Sequence, residues 1–361
     1  MTKNRLASRT ASFAVLGALS AFSLVACGSD PSSSAEPGSN AGSTSREGAS
    51  ATGLACPEGK LAAEGSTAQG NAITEVIANY NAECGDKASI EYNPTGSGAG
   101  IKSFYNGLVD FAGSDSALKT EEKDGIVEAD KAEERCQGNP AWNLPMVTGP
   151  IAFAYNIDGV DNLVLNAEVL AGIFNGSIKT WDDEKIAKLN SDVELPGEKI
   201  TVFFRSDESG TTENTTKFLS KAGNGAWKEE PSKTWTGTGE GKNKSSGVAE
   251  GVTNTKNSIS YMEWSYAKDN NLKMAQLDSG SGPVELTGAS VSKALGEAKV
   301  TGSDNDLALA LKYTENAEGA YPALLVTYEI VCSKGLAADK TAIVKDFLTF
   351  FSSAETQGSL E

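Results

Sequence analysis

Short apolar runs alternate along the chain with segments whose apolar positions recur at helical spacing, a pattern that predicts α/β architecture. The run 61-LAA-63 reads as a strand leading into 64-EGSTAQG-70. Beyond it Ile73, Val76, Ile77 and Tyr80 fall at i, i+3, i+4 and i+7, one face of a helix. The unit repeats: 88-ASIEYN-93 alternates as a strand, and Ile101, Phe104, Tyr105 and Leu108 form the next helical face. A third strand, 109-VDFAGS-114, ends at Asp115. Downstream, Ile151, Phe153 and Tyr155 alternate within 145-PMVTGPIAFAYNI-157, and 200-ITVFF-204 and 323-ALLVTYEIVC-332 read as buried strands. The segment 180-TWDDEKIAKLN-190 predicts a helix capped by Thr180, with acids in its first turn. Residues 236–258, rich in Gly, Lys, Asn, Ser and Thr, predict a loop-dominated surface, and 120-TEEKDGIVEAD-130 a solvated face.

The first residues break this pattern. Lys3, Arg5 and Arg9 precede the apolar run 11-ASFAVLGALSAFSLV-25, too short to span a bilayer comfortably, which predicts a secretory signal over residues 1–26. Its end, Leu24-Val25-Ala26-Cys27-Gly28, resembles a lipoprotein signal in which Cys27 becomes the lipidated N-terminus and holds the protein at a membrane surface. Residues 27–55 carry Gly, Ser, Ala and Thr with almost no large apolar side chain, and predict a flexible tether. No later run is long and apolar enough to cross a membrane. About 300 residues remain from Cys56 onward, enough for two domains with their own cores.

Five cysteines divide as one plus four. With Cys27 set aside, Cys56, Cys84, Cys136 and Cys332 can pair in three ways outside the cytoplasm. A strand near Leu61 and a helix ending near Cys84 favour Cys56–Cys84, which leaves Cys136–Cys332. The chain has no histidine and no CxxC spacing, so a structural zinc site is not expected. A formal net charge of −17 argues against nucleic acid as a partner. It also means that any bound anion must be held by local dipoles.

Three strand ends share one device, a small-residue turn with hydroxyls opening a helix: Gly65-Ser66-Thr67, Gly96-Ser97-Gly98 and Ser209-Gly210-Thr211. Unpaired N–H groups and the positive end of the dipole make a helix start an oxyanion site. The stretch 94-PTGSGAGIKSF-104 is neither a P-loop, since Ile101 separates Gly100 from Lys102, nor a dinucleotide fingerprint, whose third glycine would come one position later. Arg205 closes an otherwise apolar strand and can fork onto an oxyanion, with Asp207 two residues on to orient it. Asp115 makes sense beside an anion that keeps a proton at neutral pH, because a carboxylate only accepts. Phosphate meets that condition and sulfate does not.

These residues carry a resemblance to the PstS family, the phosphate-binding proteins of bacterial phosphate ABC transporters. It runs from about residue 60 to 350, through 65-GST-67, 95-TGSGAG-100, 110-DFAGSDSAL-118, 173-IFNGSIKTWDDEKIAKLN-190 and 205-RSDESGT-211. The resemblance implies a two-lobed periplasmic binding protein fold of type II, two α/β domains joined by two hinge crossovers near Pro145–Pro150 and Tyr321–Pro322, with the ligand cleft between them. Residues 56–148 and 321–361 are expected to form lobe I and residues 149–320 lobe II. The implied phosphate ligands are Thr67, the backbone of Ala68, Ser97, Asp115, Arg205, Ser209, Gly210 and Thr211, supported by Ser66, Gly96 and Asp207. Some relatives carry an aromatic residue where this chain has Ala68, a change that a backbone contact survives. The chain ends at Glu361, before a C-terminal segment expected of relatives.

The expectation is therefore a monomeric, lipid-anchored receptor on the outer face of the cytoplasmic membrane. It captures inorganic phosphate, uses no cofactor or metal, and delivers the anion to the permease of an ABC transporter. One alternative keeps the fold and changes the ligand to sulfate or molybdate, against which Asp115 stands. A secreted phosphatase or phosphotransferase is the other; it lacks a histidine, a dense acidic metal cluster and a base beside Ser97 or Ser209.

Overall fold

The first alternation becomes strand β1 (Gly59–Gly65), whose Leu61 and Ala63 are buried while Lys60 and Ala62 face out. The computed structural model describes residues 53–123 and 125–360. The signal segment, Cys27 and all but the end of the tether lie outside the described residues. Helix α1 (Gly70–Cys84) buries Ile73, Val76 and Tyr80 on the expected face and ends at Gly85, whose φ of 61° gives it a left-handed cap. Strand β2 (Ala88–Pro94), helix α2 (Ser97–Tyr105) and strand β3 (Phe111–Ser114) follow. Helix α2 is shorter than its apolar spacing predicts: Asn106 caps it, Gly107 turns the chain at φ 71°, and Leu108 is 70% exposed instead of packed. Helix α3 (Glu128–Arg135) then leads to the long strand β4 (Ala141–Asn156).

The middle of the chain holds β5 (Val164–Leu165), α4 (Ala167–Phe174), α5 (Glu184–Leu189), β6 (Thr201–Arg205) and α6 (Gly210–Ala222). After them come β7 (Glu240–Lys242), α7 (Lys244–Asn254), β8 (Ser258–Glu263), α8 (Trp264–Asp269) and β9 (Lys273–Met274). Next are β10 (Gln276–Asp278), β11 (Pro283–Val284), α9 (Gly288–Leu295), β12 (Lys299–Val300) and β13 (Leu309–Ala310). The chain closes with β14 (Leu324–Cys332), α10 (Ala338–Phe351) and α11 (Ala354–Ser359). Two sequence expectations are corrected here. Helix α5 is capped by Asp183, whose carboxylate accepts from Lys185 N, while Thr180 pairs with Lys199 in an isolated bridge. The stretch 236–258 contains α7, because Val248, Ala249 and Val252 bury one helical face that its small polar residues disguise.

The main sheet runs β2-β1-β3-β14-β4-β8-β6-β7, with β9 against β4. Strand β4 pairs antiparallel with β14 over Ala141–Pro150 and with β8 over Ile151–Asn156, so one strand joins the two halves of the sheet. The return passage lies alongside it: Ile151 N donates to Ala323 O at 2.9 Å, and Tyr321 Oη donates to Ile151 O at 2.8 Å. On one side Leu61, Tyr80, Phe111 and Phe347 share a core; on the other, Phe153, Phe174, Trp181 and Tyr261 share a second. Truncating a ring such as Phe347 or Phe153 to alanine costs about 3–5 kcal/mol, so each half of the sheet is held by its own apolar interior.

Cys56 pairs with Cys84 and Cys136 with Cys332, at Cα separations of 5.2 and 5.3 Å, which resolves the three possible pairings. The first fastens the chain before β1 to the end of α1; the second fastens α3 to the end of β14. No helix among the described residues is long and apolar enough to cross a membrane.

Candidate anion-binding site

Two of the three hydroxyl turns follow β1 and β2. Gly96 adopts φ 104°, which a side chain resists, and a Cβ there would fall 2.8 Å from Asp207 Oδ2 and 2.9 Å from Glu208 O. Gly98 N donates to Glu208 O at 3.0 Å, and Lys102 Nζ reaches both Glu208 carboxylate oxygens at 2.7 Å. The glycines thus let the β2–α2 turn close on the β6–α6 turn. Gly210 makes the matching approach from the other side: a Cβ would stand 2.5 Å from Ser97 Oγ and 2.6 Å from Asp115 Cβ.

Within this closure the expected residues come together. Arg205 ends β6 almost fully buried; its Nε donates to Asp207 Oδ1 at 2.8 Å, its Nη2 to Asp207 Oδ2, and its Nη1 to Ser245 Oγ at 3.2 Å. Burial works against ionised Asp207, but the bonds and charge of Arg205, with the Lys244 backbone N–H, hold its carboxyl below the usual range. Thr67 Oγ1 lies 2.7 Å from Ser245 Oγ. Ser97 Oγ accepts from Asp115 N at 3.1 Å, and Ser209 Oγ caps α6 by accepting from Thr212 N at 3.1 Å. Ser97 and Ser209 each keep a proton with which to donate, while one proton of the Thr67–Ser245 pair is spent on their mutual bond. Ala68 N donates to Ser66 Oγ at 3.0 Å.

Asp115 is 3% exposed and surrounded by donors. Its Oδ1 accepts from Ser66 Oγ and from Thr327 Oγ1 (2.9 Å); its Oδ2 accepts from Thr211 Oγ1 at 3.2 Å. Burial raises its pKa, and Ser66, Thr327, Arg205 and Thr211 only partly offset that. Two more acids lie nearby. Burial pushes Glu263 up to about 7 and Glu329 up to about 8, and in each the Asp115 charge adds to the rise. A lone guanidinium therefore faces several buried carboxyls, so the site depends on hydroxyl and backbone donors as much as on formal charge.

Four contributors escaped sequence reasoning. Ser245 bridges Arg205 and Thr67, Thr327 bonds Asp115, Asn214 Nδ2 donates to Asp115 O at 2.6 Å, and Tyr266 Oη donates to Thr67 O at 2.7 Å. Ser245 had a signal: 243-NKSSG-247 is a fourth small-residue hydroxyl turn opening a helix, inside the stretch read as loop. Among the described residues the one grouping with metal-like spacing is Cys56, Cys84 and Asp346, and both sulfurs there are spent in a disulfide.

Beside the site, Glu213 of α6 is buried and accepts from Ser116 Oγ at 2.8 Å. Lys119 pairs with it, as do Lys217 (3.2 Å) and Lys233 (3.6 Å). Burial raises its pKa, but the three lysines outweigh that and hold it well below the carboxylate range. A depressed folded pKa gives stability that is present above the unfolded value, about 4.3, and lost as pH falls through the folded value. Glu213→Gln is expected to cost about 3–5 kcal/mol at neutral pH and to flatten the loss of stability below about pH 4. Thermal unfolding of both proteins across that range checks it; parallel curves would remove Glu213 from the account.

Residues 39–355 match the family model described as the PBP superfamily domain. Phosphate-binding protein PstS3 of Mycobacterium bovis is 42% identical over 342 residues, covering 93% of this chain and 89% of that protein. Phosphate-binding protein PstS 2 of Mycobacterium tuberculosis is 41% identical over 333 residues, covering 91% and 88%. Among solved structures, a high affinity periplasmic phosphate-binding protein bound with phosphate superposes with a TM-score of 0.66 at 22% identity, covering 83% of this chain and 88% of that one. A putative phosphate ABC transporter substrate-binding protein with bound phosphate from Clostridium perfringens gives 0.60 at 19% identity, covering 83% and 96%. The structural likeness establishes the two-lobed fold.

Proposed function

The chain belongs to the PstS family of phosphate-binding proteins, and from that premise we propose that it captures inorganic phosphate, mono- and dibasic, between its lobes. In this reading Arg205 and the hydroxyls of Thr67, Ser97 and Ser209 donate to the anion, with the backbones of Ala68, Gly210 and Thr211, the Thr211 hydroxyl being engaged with Asp115. Asp115 accepts the proton that phosphate retains. Ser66 and Asp207 hold Asp115 and Arg205 in place, and Gly96 lets the turns meet. The observation that carries the reading is the buried Arg205, fixed from behind by Asp207 and bonded to Ser245, close enough for its charge to act on Asp115 among that residue's own hydroxyl partners. A buried guanidinium set beside donors and one acceptor suits a tetrahedral oxyanion that still bears a proton.

The wider reading places the protein outside the cytoplasm as a monomer tethered by lipidated Cys27, passing phosphate to the membrane permease of an ABC transporter. It needs no cofactor and performs no catalysis. Absence of histidine from the whole chain supports that, as does the use of Asp115 as an acceptor for three hydroxyls, which leaves it poorly placed as a free base. Titration calorimetry with inorganic phosphate and with sulfate tests the proposal. We expect saturable heat with phosphate at least about a hundredfold tighter than with sulfate, worth about 2.7 kcal/mol or more. Equal affinities, or heat with sulfate or molybdate alone, would move the assignment to another oxyanion; turnover of a phosphomonoester would move it to an enzyme.

A further inference from the structure

Glu329 is a charged residue type with nothing to neutralise it. It lies on β14 in register with Gly113 of β3, two residues from Thr327, which bonds Asp115. Its side chain is 0% exposed and neither carboxyl oxygen has a partner in good hydrogen-bond geometry, although the Gln69 amide lies close enough to favour its ionised form. The groups that act on it are the Gln69 amide and the Asp115 carboxylate, with no lysine or arginine among them. Gln69 Oε1 is likewise buried without a donor. Three orphaned acceptors in one apolar interior are costly, whereas a proton on Glu329 removes a charge and supplies a donor at once. A polar chain leads from this place to the anion site. Gln69 Nε2 donates to Tyr92 Oη at 3.0 Å, Tyr92 Oη donates to Ser66 O at 2.8 Å, and Ser66 Oγ donates to Asp115 Oδ1.

We propose that Glu329 sets the alkaline limit of anion binding: it holds a proton while the site accepts its anion, and losing that proton puts a second buried negative charge behind Asp115. The inference rests on the site being an anion site. Burial pushes Glu329 up to about 8, the Gln69 amide pulling back and Asp115 adding to the rise, so the change falls within an accessible range. The titratable groups facing it are Tyr92 of β2 and Asp115 after β3. Burial keeps Tyr92 neutral well above its ordinary value, with Glu329 its foremost electrostatic neighbour. Glu263, at the end of β8, also feels the Asp115 charge, and burial pushes it up to about 7, so a comparison that changes Glu329 alone separates the two.

The test is titration calorimetry of inorganic phosphate against the full chain and its Glu329→Gln variant from about pH 6.5 to about pH 9.5. Phosphate changes its own protonation identically for both proteins. Expected affinities agree within about twofold at the acid end, and by the alkaline end the unchanged protein has lost about tenfold more than the variant. Parallel profiles would overturn the proposal while leaving phosphate binding intact. No binding at any pH would overturn the anion reading and this inference with it. A second measurement compares proton uptake: in phosphate binding near pH 8.5, run in buffers of different ionisation enthalpy, the unchanged protein should take up more protons than the Glu329→Gln variant. Equal uptake by the two proteins would also overturn it.

Discussion

Arg205→Ala is expected to weaken phosphate binding about a thousandfold, ~4 kcal/mol, a larger loss than any other single substitution in the site. Among the described residues the guanidinium is the cation buried with the hydroxyls of the candidate site, and its surroundings make it strong. Asp207 grips it through two bonds, and Lys244 N in turn bonds Asp207 at 3.1 Å, so its orientation is set before any anion arrives. Removal also strands the Asp207 carboxylate in a half-buried place, and thermal unfolding should register that as a separate destabilisation of about 3 kcal/mol. Arg205→Lys divides the two effects. An ammonium keeps the charge and loses the planar fork, so stability should largely return while affinity stays at least about tenfold low. Calorimetry on both variants checks this. Near-normal affinity in Arg205→Ala would take the residue out of the site.

The parts of this arrangement that could be read from sequence are those that local chemistry specifies. The apolar run 61–63, the alternation in 88–93 and the helical face of Ile73, Val76 and Tyr80 depend only on which side of an element is buried, and the structure keeps them within β1, β2 and α1. The same holds for the Ser209 cap and for the Arg205–Asp207 pair, two residues apart. What stayed hidden depends on distant chain. Thr327 lies 212 residues from Asp115, and Ser245 lies 178 from Thr67; nothing local to either announces the partner. Composition misled where it masked periodicity: the lysine, serine and glycine residues at 242–247 read as loop, yet Val248, Ala249 and Val252 make α7 a packed helix. Periodicity misled where a turn cut it short, at Asn106-Gly107 ahead of Leu108. Glu329 was silent for a different reason. One acid in an apolar strand shows its environment only once the sheet has closed around it.

Asp115→Asn is the second large effect, and it concerns choice between anions more than strength. In the chain as it stands, Asp115 Oδ1 is filled by Ser66 and Thr327, while Oδ2 takes one bond, from Thr211. That second oxygen retains a lone pair that can accept a proton from the ligand. Phosphate has one to give at neutral pH; sulfate has none and would set an acceptor against an acceptor in a dry interior. An unmade pairing of that kind with a charged group costs about 1.5–3 kcal/mol. Asparagine can keep an oxygen toward Ser66 and Thr327 and turn an N–H₂ toward the cleft, a donor where a carboxylate had refused sulfate. Phosphate affinity should therefore fall modestly, sulfate affinity should rise, and their ratio should shrink by about ten- to a hundredfold. Paired titrations with the two anions read the ratio directly. An unchanged ratio would mean that the net charge of −17 and the shape of the cleft select the anion without Asp115. In a protein this acidic, excluding anions is easy and admitting one is hard. The carboxylate then has a selective purpose only if it recognises a proton that the admitted anion carries in with it.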